Sequence, residues 1–330
     1  MDRYEKSKLE TKRYQKIKEL VKIVYGFDEF RPRQYEVINR IIRGIDTCLI
    51  MKTGGGKSFL YQVPAIYLGK PAVIVTPLVS LMEDQKLGLD SLGITSCCYN
   101  SNVVDKDLML DEIIEGKYQF VYITPESIVN LKFFLMNMHE KIGISLVAVD
   151  EAHCISSFGF AFRKAYREIN FLKDLLPNVP ILAVTATATS EVAEDICKVL
   201  KFKKVDPIIT GFDRPNLFLE VKRKSKKMER DIVPLLKVHE NEPVIIYCVT
   251  RNDTEKAAQI LTTCGIECGI YHAGLDARTK SNTHKQFLSG KLNVVAATTA
   301  FGMGINKPNV RAVIHYGAPR NIEGYYQEIG

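Results

Sequence analysis

The chain has 330 residues, 46% hydrophobic and 25% charged, with a formal charge of +7 from 45 Lys and Arg against 38 Asp and Glu. That is the composition of an ordinary globular protein of about two domains, and the mild basic excess is compatible with a polyanion partner without requiring one. No apolar run approaches the roughly 18–20 residues that span a bilayer, Met1-Asp-Arg-Tyr-Glu-Lys6 has no apolar signal core, and the eight cysteines form no C-x-x-C, so neither membrane segment, zinc site nor disulfide frame is expected.

From Arg13 to Tyr25, Ile17, Leu20, Val21 and Val24 recur at helical spacing, and Gly26 can end that helix. Residues 27–34 read as a loop, with Pro32 opening a second helix whose apolar face carries Val37, Ile38, Ile41 and Ile42. The run Thr47–Met51 predicts a buried strand, and Phe59–Val63 a helix that ends at Pro64. Four further runs follow: Ala72–Thr76, Phe120–Thr124, Leu146–Asp150 and Ile181–Thr185. They are apolar throughout rather than alternating, as parallel strands covered on both faces should be. Each ends in Thr or Asp, and ligands of open α/β sheets sit at those carboxyl ends.

Periodicity lapses from Lys203 to Asp213, and the basic cluster Lys222-Arg-Lys-Ser-Lys-Lys227 follows. It reads as a solvated linker in preference to a binding patch. A domain junction is expected here, giving domains 1–208 and 209–330. A second α/β series then begins: strand Val244–Cys248, helix 254–264, strand Gly269–Tyr271, helix 277–288, and strands Asn293–Ala297 and Ala312–Tyr316.

Two stretches carry chemistry. The first is Met51-Lys-Thr-Gly-Gly-Gly-Lys-Ser58, between a predicted strand and a predicted helix. Thr53, Gly54, Gly55 and Gly56 can bring backbone N–H groups around phosphate oxygens where a Cβ would clash. The helix start adds free N–H groups and partial positive charge. Lys57 would reach the β- and γ-phosphates, and the Ser58 hydroxyl would ligate Mg²⁺. Met51 stands where the usual G-x-x-x-x-G-K-[ST] pattern has its first glycine. The second stretch is Asp150-Glu-Ala-His153, directly after an apolar strand. Asp150 can hold Mg²⁺, usually through water, while Glu151 polarises the attacking water. The first stretch alone is a good match without being decisive and the second alone is weak; together they point to an NTPase that works by positioning and charge neutralisation.

With these residues in view, the chain resembles the RecQ-type DNA helicases of superfamily 2. The strings that carry the resemblance run in family order from Phe30-Arg-Pro-Arg-Gln34 and Met51–Ser58 through Thr76-Pro-Leu-Val-Ser-Leu-Met82, Asp150-Glu-Ala-His-Cys-Ile-Ser156, Thr185-Ala-Thr187 and Gly211-Phe-Asp-Arg-Pro-Asn-Leu217. They continue through Tyr271-His-Ala-Gly-Leu275, Ala300-Phe-Gly-Met-Gly-Ile-Asn-Lys-Pro308 and Tyr326-Gln-Glu328. The resemblance covers nearly everything after residue 25. It implies two RecA-like α/β domains of the P-loop NTPase class, with ATP and Mg²⁺ as cofactors and single-stranded DNA and duplex or fork junctions as partners. It implies 3′-to-5′ translocation, duplex unwinding and roles in DNA repair and recombination.

By the same resemblance, Phe27 would stack on adenine, with Arg31 and Gln34 nearby. Phe27 capping the first helix is the alternative. Gln327 would join Lys57, Asp150 and Glu151 in catalysis. The stretch after the acidic motif departs from the family. RecQ enzymes usually read Gln-Trp-Gly-His-Asp-Phe-Arg, and here it is Ser157-Phe-Gly-Phe-Ala-Phe-Arg163. Phe158, Phe160, Phe162 and Arg163 can still offer stacking and charge to unpaired bases. A buried apolar edge is the alternative. The lost Gln and His predict weaker stimulation of ATPase by DNA. Lys307 and Arg311 read as solvated charges rather than phosphate contacts, and His272 as a packed histidine.

The sequence stops at Gly330, inside what would be the family's motif six and ahead of its arginines. The expectation is a fragment of a longer protein, which alone binds ATP but hydrolyses it poorly. Two alternatives stay open: an RNA helicase, and a nucleic-acid-binding ATP switch that does not unwind. The free thiols point to a reducing intracellular compartment, the nucleus if the source is eukaryotic and the cytoplasm otherwise.

Overall fold

A computed structural model describes residues 3–158, 161–203, 206–301 and 307–330, with side chains from Leu9 onward. The expectations for Phe160, and for residues 302–306 of the glycine-rich string, lie outside the described residues. The chain divides into two compact units, Met1–Phe212 and Asp213–Gly330.

The first unit is built on seven described strands: β1 Thr47–Ile50, β2 Ala72–Val75, β3 Ser96–Tyr99, β4 Phe120–Ile123, β5 Leu146–Val149, β6 Ile181–Thr185 and β7 Ile208–Ile209. Their order is β3-β4-β2-β5-β6-β1-β7. Every pairing in it is parallel, with Ile50 level with Thr185 and Val75 level with Val149. Apolar residues supply both faces. Val73, Val75, Val147 and Val149 enter one core with Leu135, Met138 and Ile196. Ile74, Leu146, Ala148 and Val184 enter the other with Ile17, Val37, Ile38 and Leu60. The unbroken apolar runs follow from this two-sided cover, which leaves β1, β2, β4, β5 and β6 no face for solvent.

Three expectations change. The helix after the glycine loop runs Lys57–Leu68, through Pro64 rather than ending there. Pro64 removes only its own N–H bond, and the burial of Tyr61, Val63, Pro64 and Ala65 holds the helix together past it. The second helix begins at Gln34, not at Pro32, because Arg33 sits in the left-handed region at φ 68°. β3 and β7 add two strands to the runs that the sequence predicts. β7 pairs with β1, which keeps residues 208–209 within the first unit, ahead of the division after Phe212.

The second unit has four described strands, β8 Val244–Cys248, β9 Cys268–Tyr271, β10 Val294–Ala297 and β11 Ala312–Tyr316, in the order β11-β8-β10-β9 and all parallel. Helices Met228–Val238, Arg251–Thr263 and Ala277–Ser289 accompany them. Cores again lie on both faces, Val244, Ile246 and Ala296 on one side and Ile245, Tyr247 and Val295 on the other. Among the described residues no helix is long and apolar enough to cross a membrane. All eight cysteines are free thiols, with Cys264 exposed.

Candidate active site

In the first unit the loop after β1 and the acidic residues after β5 flank the carboxyl end of β6. They are therefore two ladder steps apart, about 10 Å. The ladders run on past the strands and fix both loops. Met51 N–H donates to Thr185 O at 2.9 Å, and Asp150 N–H donates to Val75 O at 2.9 Å.

Backbone geometry explains the glycines. Gly54 and Gly56 have φ of +72° and +88°, in the left-handed region. A Cβ on Gly55 would lie 2.5 Å from Met51 Cγ, and one on Gly56 would lie 2.8 Å from Gln34 Nε2. Gly56 is the N-cap of the helix Lys57–Leu68, and no side chain caps that end. The first N–H groups of that helix have no side-chain cap, which fits a phosphate group. Lys57 Nζ folds back over the loop to Met51 O at 3.5 Å.

Gln34 and Arg31 brace the same loop. Gln34 is buried, accepts the Arg31 N–H at 2.9 Å and donates from Nε2 to Gly55 O at 3.1 Å. Arg31 Nη1 donates to Gly54 O. Phe27 is 53% exposed, stacked on Tyr25 at 6.2 Å between centroids and tilted against Phe59 at 6.1 Å. The expected adenine-side residues thus stand beside the loop, with Gln34 already bonded to its backbone.

The acidic end is strongly polarised. Burial, with the neighbouring Glu151 charge, pushes the Asp150 carboxyl up to about 7, against the pull of the Lys57 ammonium. Burial would raise Glu151 as well, but its bond to His153 and the charges of His153 and Lys57 hold it below the ordinary range. Burial works against the His153 cation, yet hydrogen bonds to Cys154 and Glu151 lift it to about 10. His153 Nδ1 lies 3.2 Å from Glu151 Oε2 and 2.8 Å from Thr185 Oγ1. Glu151 has φ 49°, a left-handed geometry that costs a non-glycine residue about 1–3 kcal/mol. Such strain is worth holding where a carboxylate must be aimed. Ser58 at the helix start and Asp150 at the strand end are the oxygen donors a hard cation would use.

The stretch after the acidic motif is half outside and half inside. Phe158 is 63% exposed and Phe162 45% exposed, so these two rings do not form a buried edge. Arg163 is committed inward, with Nη1 donating to Pro77 O at 3.0 Å and its N–H to Cys154 O at 2.9 Å.

Gln327 belongs to the second unit, on the helix Ile322–Glu328. Strands β8, β10 and β11 of that unit open at their carboxyl ends into a cavity of about 420 Å³, lined by Arg251, Thr298, His315, Arg320 and Glu328 among others. Lys307 is not a solvated charge: Nζ donates to Leu288 O at 3.2 Å and lies 5.3 Å from the Phe287 ring centre. His272 is packed, accepting the Gly274 N–H on Nδ1 and holding Glu255 at 3.1 Å through Nε2.

Sequence reasoning gives no role to Tyr166, whose buried hydroxyl donates to Asp150 O at 2.8 Å. No local pattern marks it, because the contact joins residues on different elements.

The comparisons agree with this geometry. The profile for the DEAD/DEAH box helicase matches residues 31–196, and that for the helicase conserved C-terminal domain matches residues 226–330. A protein of Acanthamoeba polyphaga mimivirus, provisionally named an ATP-dependent RNA helicase, is 61% identical over all of this chain, which covers 60% of that protein. The ATP-dependent DNA helicase RecQ of Haemophilus influenzae is 38% identical over 94% of this chain, which spans 50% of it. The mouse bifunctional 3′-5′ exonuclease/ATP-dependent helicase WRN is 43% identical over 94% of this chain, which spans 22% of it. Yeast Dbp5, solved with RNA and ADP BeF3, shares the fold at 17% identity and TM-score 0.72, over 94% of this chain and 83% of that one. The two parallel-sheet units with flanking helices are thus of the RecA-like helicase fold. With a glycine cradle at one strand end and an acidic pair at another, inside the span that the first profile matches, the chain belongs to the DEAD/DEAH box helicase family.

Proposed function

We propose that this chain is the motor core of an ATP- and Mg²⁺-dependent DNA helicase of RecQ type, which moves 3′ to 5′ along a single strand, opens duplexes or forks and serves DNA repair and recombination. The observation that carries the reading is the glycine loop at the uncapped start of the helix Lys57–Leu68, two strands from buried Asp150 and half-buried Glu151. In this reading the backbone of residues 53–57 binds the phosphates and Lys57 draws off charge from the β- and γ-oxygens. Ser58 and Asp150 would hold Mg²⁺, which supplies charge neutralisation when bound. Glu151, kept ionised by His153, orients the attacking water. Phe27, Arg31 and Gln34 hold the base. The Gln34 bonds use one donor and one acceptor of an amide that has two donors and two acceptor lone pairs, so it can brace the loop and still meet an adenine edge. Gln327 acts from the second unit. Phe158 and Phe162 stack on unpaired bases, with Arg163 anchoring their segment. The work takes place where thiols stay reduced, in a nucleus or a cytoplasm according to the source.

DNA is preferred to RNA because relatives named as DNA helicases align over more than nine-tenths of this chain, the H. influenzae RecQ among them. The second reading, an RNA helicase, is favoured by the name of the 61% identical relative. The test is ATP turnover with matched single strands of DNA and RNA in competition, followed by unwinding of duplexes with a 3′ or a 5′ tail. Slow turnover with modest stimulation by DNA, and opening of the 3′-tailed DNA duplex in preference to the 5′-tailed one, are expected. Stimulation by RNA alone moves the chain to the second reading. Nucleotide binding with no response to either strand leaves a switch rather than a motor.

A further inference from the structure

Residues 213–227 of the second unit run without helix or strand, and residues 218–227 are all exposed. In Lys222-Arg-Lys-Ser-Lys-Lys227 every residue but Ser225 is cationic. A solvated linker would let these charges drift apart, because like charges at close spacing repel. Here the stretch is held in place instead. The Ser225 N–H donates to both carboxylate oxygens of Asp231, at 3.2 and 3.0 Å, in the first turn of the helix Met228–Val238. The Ser225 Oγ accepts the Lys227 N–H and donates to Lys227 O, each at 3.1 Å, which closes a local turn. Lys224 Nζ lies 3.8 Å from the Tyr316 ring centre, and Tyr316 Oη donates to Asp231 Oδ2 at 3.4 Å. Tyr316 ends β11, an outermost strand of its sheet. The cationic strip is thus fastened to one edge of the second unit.

Its charges are only partly answered within the fold. Lys222 pairs with Glu220 at 3.1 Å, and Lys224 lies on Tyr316. Among the described residues no acidic side chain pairs with Arg223, Lys226 or Lys227. Cations held together raise the local potential and draw in a polyanion. Six residues, even fully extended, span about 20 Å. A B-form duplex presents one phosphate charge per about 1.7 Å of its axis, so several phosphates fall within that length. Sites for single strands add open aromatic faces to their cations, and the ring that touches this strip already carries Lys224. We propose that Arg223, Lys226 and Lys227 form a contact for the phosphate backbone of the duplex. The contact works by charge, without reading bases and without stacking. It rests on the nucleic-acid-dependent reading above and names the part of the substrate that the second unit holds.

The variant replaces Arg223, Lys226 and Lys227 together by Gln. The control replaces Lys237, Lys256 and Lys291 by Gln, three exposed lysines of the same unit, for an equal loss of charge. The measurement is anisotropy of a labelled blunt DNA duplex, titrated between about 50 and 200 mM salt, beside a labelled thymidine oligonucleotide and the melting temperature. Log affinity falls with log salt by about 0.9 per phosphate contact. The triple variant should lower that slope by about 2 to 3, and weaken duplex binding at least about tenfold at the lower salt. The control should change the slope by less than about 0.5, and the thymidine strand should lose less than about threefold in the triple variant. Should the triple variant melt early, Arg223→Gln alone carries the test, with a slope change of about 1. An unchanged slope leaves the strip a solvated surface and overturns the inference. An equal fall in the control assigns the effect to net charge and overturns it too. So does an equal loss for the thymidine strand, or an unmodified chain that binds the strand and not the duplex. In each of these the reading of function stands. If the unmodified chain binds neither duplex nor strand, that reading fails and the strip contact fails with it.

Discussion

The two units begin alike and diverge at one turn. In each, a parallel strand leads through a short loop into a helix: β1 to Lys57–Leu68 in the first, β8 to Arg251–Thr263 in the second. In the first unit the N-cap is Gly56, left-handed and without a side-chain bond, so the helix end stays open. In the second unit the N-cap is Thr250, whose Oγ1 accepts the Asp253 N–H of the helix's own first turn at 3.0 Å. One helix keeps its N–H groups for an anion, and the other satisfies one of them internally. The strand ends differ too: Asp150 and Glu151 close the first sheet beside a buried His153, while the cavity of the second is lined by Arg251, Arg320 and the His315–Glu328 pair at 2.8 Å. A shared α/β plan thus leaves one helix start open to an anion and caps the other, through a few residues at the strand ends.

The largest effect expected from this contrast is on stability against pH. In the unfolded chain Asp150 loses its proton near the ordinary value of 3.8, and in the fold near 7. The folded state therefore holds a proton that the unfolded state has released, and stability falls as pH rises from about 4 to about 7, by on the order of 4 kcal/mol. His153, raised to about 10, contributes stability below its ordinary value of 6.5 that is lost as pH climbs toward 10. Urea unfolding at stepped pH should show Asp150→Asn without the first fall and with the second intact. A variant that tracks the unmodified chain from pH 4 to 7 would mean that Asp150 is not buried as a charge.

Next in size, Lys57→Ala should cut ATP turnover by about 10²–10³-fold with little change in melting temperature. Gly56→Ala should cost about 1–3 kcal/mol of stability, since it forces a Cβ into a left-handed turn and against Gln34, and nucleotide affinity should fall with it. Phe158→Ala should remove about 1–3 kcal/mol of single-strand affinity, read by anisotropy, and leave nucleotide binding in place. Smallest, Thr250→Ala should cost about 1 kcal/mol in a melting or urea experiment and leave ATP affinity untouched.

Much of the first site was legible because its chemistry is local. Met51–Ser58 and Asp150–His153 are each continuous in sequence, and the apolar runs before them could only be covered strands. What escaped was set by tertiary contact. β3 and β7 are short strands with weak patterns, recruited by their neighbours β4 and β1. Pro64 reads as a helix stop, yet packing of its own turn carries the helix on. Lys307 looks like surface charge until Leu288 and Phe287 are seen beneath it. Tyr166 has no local signature at all, since its partner, the Asp150 carbonyl, belongs to the loop after another strand.

On the proposed reading, the open helix end of the first unit takes the nucleotide and the capped one of the second does not. Calorimetric titration of Mg²⁺–ATP analogue into the chain tests it most directly, beside Lys57→Ala and Thr250→Ala. One site per chain, lost in Lys57→Ala and unchanged in Thr250→Ala, is the expected result. Binding that survives in Lys57→Ala and disappears in Thr250→Ala would move the nucleotide to the second unit.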